Sequence, residues 1–380
     1  MAALVLLDLS AAFDVIDHKI LQTCLEHSFG VTGRALSWIK SYLSDRSQYV
    51  AIGMTTSEGK CLNFGVPQGS VLGPRKYCLY SKPIGEICSR HKLLYHCYAD
   101  DTQVYLAIMP KTTWSDVAQK LEACLADIST WMSANMLKLN EEKTELIIFN
   151  PKHQVGVNEE LQLQVGKNTV SVASSVKNLG VYFDTSLTME RQVSAISKAC
   201  YYQIRNIGHI RRYITLDACK TLAHALITSR LDYGNALLYG LPSTLMTRLQ
   251  KVQNSSARLV TRTHKREHIT PVLNSLHWLP VMYRSQYNIL MYTFKALQGT
   301  APQYLEELVF PYQQTRSLRS ESGAFLAVPT TRGVTYGNRC FRKAAATLWN
   351  NLPVTIRKCK TLDTFKKKIK TYLFVSAFPS

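Results

Sequence analysis

Short apolar runs bounded by polar turns recur through the first 150 residues: "ALVLLDL", "QYVAIG", "LLYHCY", "TQVYLAI" and "ELIIF". Their length and their β-branched and aromatic content are those of strands. Between them, segments at about 17–28, 33–44, 70–90 and 115–136 space their apolar residues by three and four, the period of helices packed through one face. This alternation predicts an α+β fold, a sheet with helices on one face. A polar connector near 150–160 leads to three further short strands, "LQLQV", "TVSVA" and "NLGVYFD". From 188 to 300 the period changes to consecutive amphipathic helices. In the first of these, Val193, Ile196, Ile204 and Ile207 form the apolar stripe, and Lys198, Arg205, Arg211 and Arg212 decorate the rest. Residues 301–380 are punctuated by Pro and Arg until a final segment, "LDTFKKKIKTYLF". There Phe365, Ile369, Tyr372 and Leu373 recur at helical spacing, which makes "KKKIK" the polar side of a basic amphipathic helix; the alternative is a nuclear-localisation run.

Two adjacent acids, Asp100 and Asp101, interrupt "YHCYADDTQVYL" between two runs that read as buried strands. Neighbouring carboxylates repel and are costly near a core unless a cation joins them. They either cap a plain Asx-turn or hold a metal. The apolar strand Leu4–Leu7 ends in Asp8, so the acid falls at the rim of the sheet. A hairpin lying beside that strand would bring Asp100 and Asp101 to the same rim. Three carboxylates on one edge form a hard-oxygen site for divalent cations, two of which would sit roughly 3.5–4 Å apart.

Composition narrows the picture. With 380 residues and 46% hydrophobic content, the chain carries enough apolar surface for two or three domains, which excludes a disordered protein or a disulfide-stapled miniature. Ten cysteines occur without any Cys-x-x-Cys spacing, so reduced thiols in an intracellular protein and no structural zinc are expected. No apolar run approaches a membrane span or a signal peptide, so the protein is expected to be neither secreted nor membrane-bound. The net charge of +19 is one-sided. Residues 1–150 hold 14 Lys and Arg against 15 Asp and Glu, whereas residues 151–380 hold 31 against 11. An excess of that kind points to a polyanionic partner, nucleic acid before an anionic membrane.

Four stretches in order, "LVLLDLSAAFDVIDH" at 4–18, "GVPQGSVLGP" at 65–74, "YADD" at 98–101 and "LKLNEEKTE" at 137–145, resemble motifs A, B, C and D of reverse transcriptases. The wording is closest to the LINE-type, or non-LTR, retrotransposon polymerases. "KNLGVYFD", "LHWLPVMYR", "TFKALQG" and "LWNNLP" resemble the stretches that follow in their jockey-like branch. The resemblance implies an RNA-directed DNA polymerase that adds deoxynucleotides to a DNA primer on an RNA template, using two Mg²⁺ ions or Mn²⁺ in their place. It implies a palm at 1–150, primer-grip strands and connector at 151–187, a helical thumb at 188–300 and a basic C-terminal region at 301–380. It also implies a ribonucleoprotein of nucleus or cytoplasm.

By the same resemblance Asp8 and Asp100 match the principal metal ligands, with Asp101 the auxiliary acid. Phe13 matches the steric gate that excludes a 2′-OH; by itself it reads as a core phenylalanine. Gln68 and Gly69 match the turn that touches nucleotide and template, and by themselves form a turn opening a helix. Lys143 matches the motif D lysine that protonates the leaving pyrophosphate; by itself it is a solvated lysine. "LGVYF" at 179–183 resembles the primer-grip strand. Two features depart from the family. Met1 opens the sequence seven residues before Asp8, so the fingers are expected to be missing and activity of the chain weak or absent. Arg75 and Lys76 stand where relatives carry apolar residues; an exposed face would tolerate two charges there, and they also suit a decaying genomic copy. The competing expectation is a non-catalytic nucleic-acid-binding remnant of such an element.

Overall fold

A computed structural model of the chain describes residues 1–10, 13–67, 69–150, 161–312, 324–331 and 333–379. It divides into two compact units, Met1–Leu187 and Thr188–Ser380.

The first unit is built on a four-stranded antiparallel sheet. Its strands are β1 (Ala2–Leu7), β2 (Leu94–Tyr98), β3 (Asp101–Ala107) and β4 (Glu145–Phe149), in the spatial order β4-β1-β3-β2. β1 is apolar throughout because it pairs on both sides and is covered on both faces. Alternation divides its side chains: Ala3, Val5 and Leu7 enter the main core, while Leu4 packs with Ile147 and Val176 on the other face. The main face is covered by helices α1 (His18–Phe29), α3 (Gly73–Arg90) and α4 (Trp114–Ala134), through residues such as Leu21, Tyr77, Ile84, Leu121 and Ile128. α2 (Gly33–Leu43) packs beside α1. The opposite face is covered by the hairpin of β7 (Ser175–Asn178) and β8 (Val181–Asp184), the second of two hairpins; the first joins β5 (Gln162–Val165) to β6 (Asn168–Ser171).

Local chemistry sets the helix ends. Asp17 caps α1 by accepting from the backbone N–H groups of Lys19 and Ile20 at 2.7 and 2.9 Å, and Gly30 closes it in the left-handed region. Thr113 and Asp116 form a reciprocal capping box on α4.

Two expected strands differ from the reading above. "QYVAIG" contributes only to an exposed two-stranded ribbon, Ser47–Gln48 with Lys60–Cys61 and Ala51–Ile52 with Thr55–Thr56, outside the sheet. β2, which reads as buried, has all five residues exposed, because it is an edge strand. The connector beyond Asn150 lies outside the described residues.

The second unit is helical: α5 (Glu190–Ile210), α6 (Leu216–Ala223), α7 (Ser243–Thr261), α8 (Val281–Leu297), α9 (Phe341–Asn350) and α10 (Leu362–Ala377) are its main elements. Val193, Ile196 and Ile207 of the predicted stripe on α5 are buried. The segment past residue 300 shares the core of α8. Phe294 stacks on Phe365 at 4.4 Å between ring centroids, Phe365 on Trp349 at 5.7 Å, and Ile369 and Leu373 close the cluster. α10 therefore has the amphipathic form its spacing predicts, with Phe365, Ile369 and Leu373 inward.

Candidate active site

The antiparallel register builds the site. β1 pairs with β3 up to Leu7↔Thr102, so Asp8 leaves β1 alongside Asp101, the first residue of β3. On the other side β3 pairs with β2 down to Tyr98↔Asp101, leaving Ala99 and Asp100 as a two-residue turn with Ala99 at φ 52°. A hairpin that tight fixes the acids relative to the sheet. Asp8 and Asp101 line one cavity of about 420 Å³, together with Lys143 and the turn Lys177–Asn178–Leu179. Asp100 stands one residue outside its lining.

The electrostatics of the cavity are unbalanced. Partial desolvation, and after it the charges of Asp100 and Asp8, raise the Asp101 carboxyl above its ordinary value. Asp8 pairs with a different neighbour, the Lys143 ammonium, at 3.2 Å. Asn140 donates to the same carboxylate oxygen from Nδ2 at 3.3 Å, and its backbone N–H donates to the Asp8 carbonyl at 2.9 Å. Lys143 ends the short 3₁₀ turn Glu141–Lys143 just before β4 and is largely exposed. The hard-oxygen chemistry of Asp8, Asp100 and Asp101 suits a divalent cation. Among the described residues, however, no three His, Cys, Asp or Glu side chains are drawn close enough to hold one as they stand.

The turn of the β7–β8 hairpin completes the lining. Leu179 and Gly180 both take positive φ, 45° and 82°, the pattern of a tight hairpin turn. Leu179 does so without being glycine, a strain that concentrates at binding sites. Gln103 of β3 donates from Nε2 to Asn178 Oδ1 at 2.9 Å and holds this hairpin to the sheet.

Phe13 and the 65–74 stretch belong to the same unit. The Phe13 ring packs on Tyr77 at 4.9 Å between ring centroids and is partly buried against the main core. Gly65 is drawn against the Phe13–Ile16 segment: its N–H donates to Ile16 O at 2.8 Å, and Val66 N donates to Phe13 O at 2.9 Å. A Cβ at Gly65 would come within 2.9 Å of the Asp14 carbonyl oxygen, so only glycine fits. Gly69 occupies an exposed turn at φ 79°. Gln68 lies outside the described residues.

One residue here was not foreseen. Tyr77, four residues into α3 from Gly73, has a buried hydroxyl without a hydrogen-bond partner among the described residues. Burial and then the charge of Asp100 push its phenol well above the usual range. Lys76 does not lie on an exposed face that would tolerate its charge. Arg75 is exposed, but Lys76 is buried at 4% exposure, its ammonium 3.4 Å above the Tyr42 ring centroid and without a hydrogen-bond acceptor among the described residues. Desolvation, reinforced by Arg46, lowers it to about 8.

In the second unit, Lys198, Tyr202, Arg205, His209 and Arg212 follow one another by four, three, four and three residues, and all are exposed or half-buried. They form one cationic and aromatic stripe along α5 and its continuation. Arg211 does not belong to it. Its guanidinium donates to the carbonyls of Leu259, Val260 and Ile214 and so ties the end of α5 to the end of α7.

Residues 2–183 match the profile of the family described as reverse transcriptase (RNA-dependent DNA polymerase). They form a reverse-transcriptase domain. The relatives that the chain resembles support a reverse transcriptase of the LINE-type, non-LTR retrotransposon kind. It is similar to the probable RNA-directed DNA polymerases of transposon BS (26% identity, 68% of this chain) and of the X-element (27%, 67%), and to that of mobile element jockey (25%, 67%), all of Drosophila melanogaster. It spans 28% of the length of each of these relatives. A solved telomerase of Candida albicans, in complex with a fragment of telomeric RNA, covers 75% of this chain and is covered to 47%, at 14% identity and a TM-score of 0.32, too loose a likeness to carry an argument. Among the described residues no helix is long and apolar enough to cross a membrane.

Proposed function

We propose that the chain is the polymerising part of a retrotransposon RNA-directed DNA polymerase, acting on an RNA template, a DNA primer and deoxynucleoside triphosphates. The observation that carries this reading is the meeting of Asp8, Asp101 and Lys143 at one cavity, from three separate motifs. Asp8, Asp100 and Asp101 are the residues that would hold divalent cations, Mg²⁺ or Mn²⁺. When bound, such ions supply charge stabilisation for phosphoryl transfer. Lys143 is a flexible cation within reach of that charge and suits proton donation to a departing pyrophosphate. The Phe13 ring, set against Tyr77, would lie under the incoming sugar and exclude a 2′-hydroxyl. Gly69 with Gln68 would bear on nucleotide and template, and the Leu179–Gly180 turn on the primer end.

The second unit acts, in this reading, as thumb and basic C-terminal region, and its α5 stripe holds duplex backbone without reading sequence. Thr188–Ser380 holds 28 Lys and Arg against 8 Asp and Glu, a charge suited to that task.

A Mn²⁺ titration of the chain followed by water proton relaxation, run beside extension of a DNA primer on an RNA template, tests this. Asp8→Asn and Asp101→Asn should each abolish the Mn²⁺ signal, and Asp101→Asn should abolish extension. A folded wild-type chain that binds no Mn²⁺ yet retains duplex affinity would favour the second reading, a nucleic-acid-binding protein without catalysis. The Lys143 ammonium already seated on Asp8 is the observation that favours it.

A further inference from the structure

A second cavity, of about 520 Å³, lies wholly within the helical unit. Its wall is assembled from distant segments: His224 and Asp232 flank a helix with one π turn, His277 comes from the "LHWLP" stretch, Arg284 and Asn288 from α8, and Lys370 from α10. Two of these positions are conformationally unusual. His224 begins the π-helical turn His224–Thr228, and His277 holds a left-handed φ of 53°. Both irregularities are of the kind that gathers at functional sites.

The charge lining this cavity is cationic. Asp232 is the one carboxylate among its described lining residues, and Arg284 neutralises it through Nη1 at 2.5 Å. Arg284 Nε is committed to the Leu279 carbonyl at 2.9 Å, which leaves its Nη2 without a partner among the described residues. The Lys370 ammonium has no ion pair or hydrogen bond among them either. His224 rests edge-on against the buried Trp278 at 5.3 Å and His277 against Phe374 at 5.5 Å, so each imidazole keeps its nitrogens for a ligand. Asn288 donates from Nδ2 to Asn235 Oδ1 at 2.6 Å, and its own Oδ1 remains a free acceptor among the described residues.

We propose that this cavity binds one nucleoside monophosphate unit, its phosphate met by Lys370, Arg284 and the two histidines. The volume is of nucleotide size. Guanidinium, ammonium and imidazole donors suit phosphate oxygens. The exposed His277 ring offers a stacking surface for a base, and the Asn288 Oδ1 acceptor suits a ribose hydroxyl or a base amino group. The unit can be a free nucleotide or a residue of a nucleic-acid strand. The inference does not rest on the polymerase reading and would stand if the carboxylate site held no metal.

The test uses the full chain with four probes: AMP, adenosine, inorganic phosphate, and an oligoadenylate RNA eight nucleotides long with or without a 5′-phosphate, each titrated by calorimetry. AMP should bind, and adenosine at least ten-fold more weakly. Lys370→Met and His277→Asn should each weaken AMP roughly ten-fold. Lys370 is exposed and His277→Asn tolerates the left-handed backbone, so both variants should keep the wild-type melting temperature. Lys198→Ala with Arg205→Ala on α5 should leave AMP binding unchanged. Tighter binding of the 5′-phosphorylated RNA than of AMP would identify a strand end as the source, and equal affinity would identify the free nucleotide. AMP that fails to bind, adenosine binding as well as AMP, or AMP affinity untouched in both cavity variants would overturn the proposal.

Discussion

The two cavities of this protein are made in different ways. In the first unit the acids sit at strand ends, where a continuous hydrogen-bond ladder decides which residue stands beside which. Asp8 follows Leu7, Leu7 faces Thr102, and Asp101 precedes Thr102. Like charges are thereby held together, and Asp101 is less acidic through partial burial first and its acidic neighbours second. In the second unit the cations come from helices and turns far apart in the chain, and only packing of the Phe294, Trp349 and Phe365 cluster brings α8, α9 and α10 into one body. A ladder specifies by register and tolerates electrostatic strain; a packed helical shell specifies by shape and leaves its charges free for a partner.

The contrast is best broken at Asp101. Its carboxyl is raised in the folded chain, so the folded state binds more protons than the unfolded state between the ordinary carboxylate value and the raised one. Stability is therefore fuller below that window and declines as pH rises through it. Asp101→Asn removes the repulsion with Asp8 and Asp100. It should raise the melting temperature at pH 7 while weakening Mn²⁺ binding by more than ~100-fold, beyond what the loss of an outer-shell partner costs a metal site. A variant that melts lower at pH 7 would show that the acids are not strained.

Next in size is the shell of the second unit. Trp349 is buried and donates from Nε1 to the Ala324 carbonyl at 2.9 Å. Trp349→Ala should destabilise by about 3–5 kcal/mol in urea unfolding and weaken binding at the His224 cavity with it. An unchanged midpoint would separate α9 from the common core.

Salt dependence gives a smaller effect. Replacing Lys198, Arg205 and Arg212 by Ala should flatten the log–log salt slope for duplex DNA or RNA–DNA by about 0.9 for each phosphate no longer neutralised, without changing sequence preference. An unaltered slope would take the α5 stripe out of the interface.

The smallest effect is expected at Lys76. Its folded ammonium deprotonates near 8, whereas an unfolded lysine does so near ~10.4, so the unfolded chain binds the extra proton between those values and the wild type gains stability as pH rises across them. The cation–π contact with Tyr42 offsets part of the burial cost. Lys76→Met should therefore match or slightly exceed the wild type at pH 7, and the gap should close between pH 8 and 10. Thermal melts at both ends of that range decide it.

The carboxylate rim was legible because its determinants are local. An apolar strand ending in an acid and a tight turn between two alternating runs each occupy a dozen residues or fewer. The period of α10 was legible for the same reason. The edge position of β2 was not, because strand order is a tertiary matter and an apolar run reads alike at centre or edge. The burial of Lys76 was not legible, because only the placement of Tyr42 and Trp38 over that turn of α3 explains how an ammonium is buried. Nothing in the spacing of His224, His277, Arg284 and Lys370 announces that they share a wall.

The two-residue turn at Ala99–Asp100 bears on how copies of this sequence can diverge. Side chains alternate faces along β3, so one codon inserted between Asp101 and Val104 would turn Asp101, and the Ala99–Asp100 turn that precedes it, to the opposite side of the sheet. Substitutions along the exposed β2, at Leu94 or Tyr95, carry no such penalty. Among copies retained for the carboxylate rim, residues 94–107 should accumulate point changes freely on the outer strand but almost no single-codon insertions or deletions. A lineage in which such length changes are as frequent there as in the exposed ribbon at 47–61 has stopped using the site.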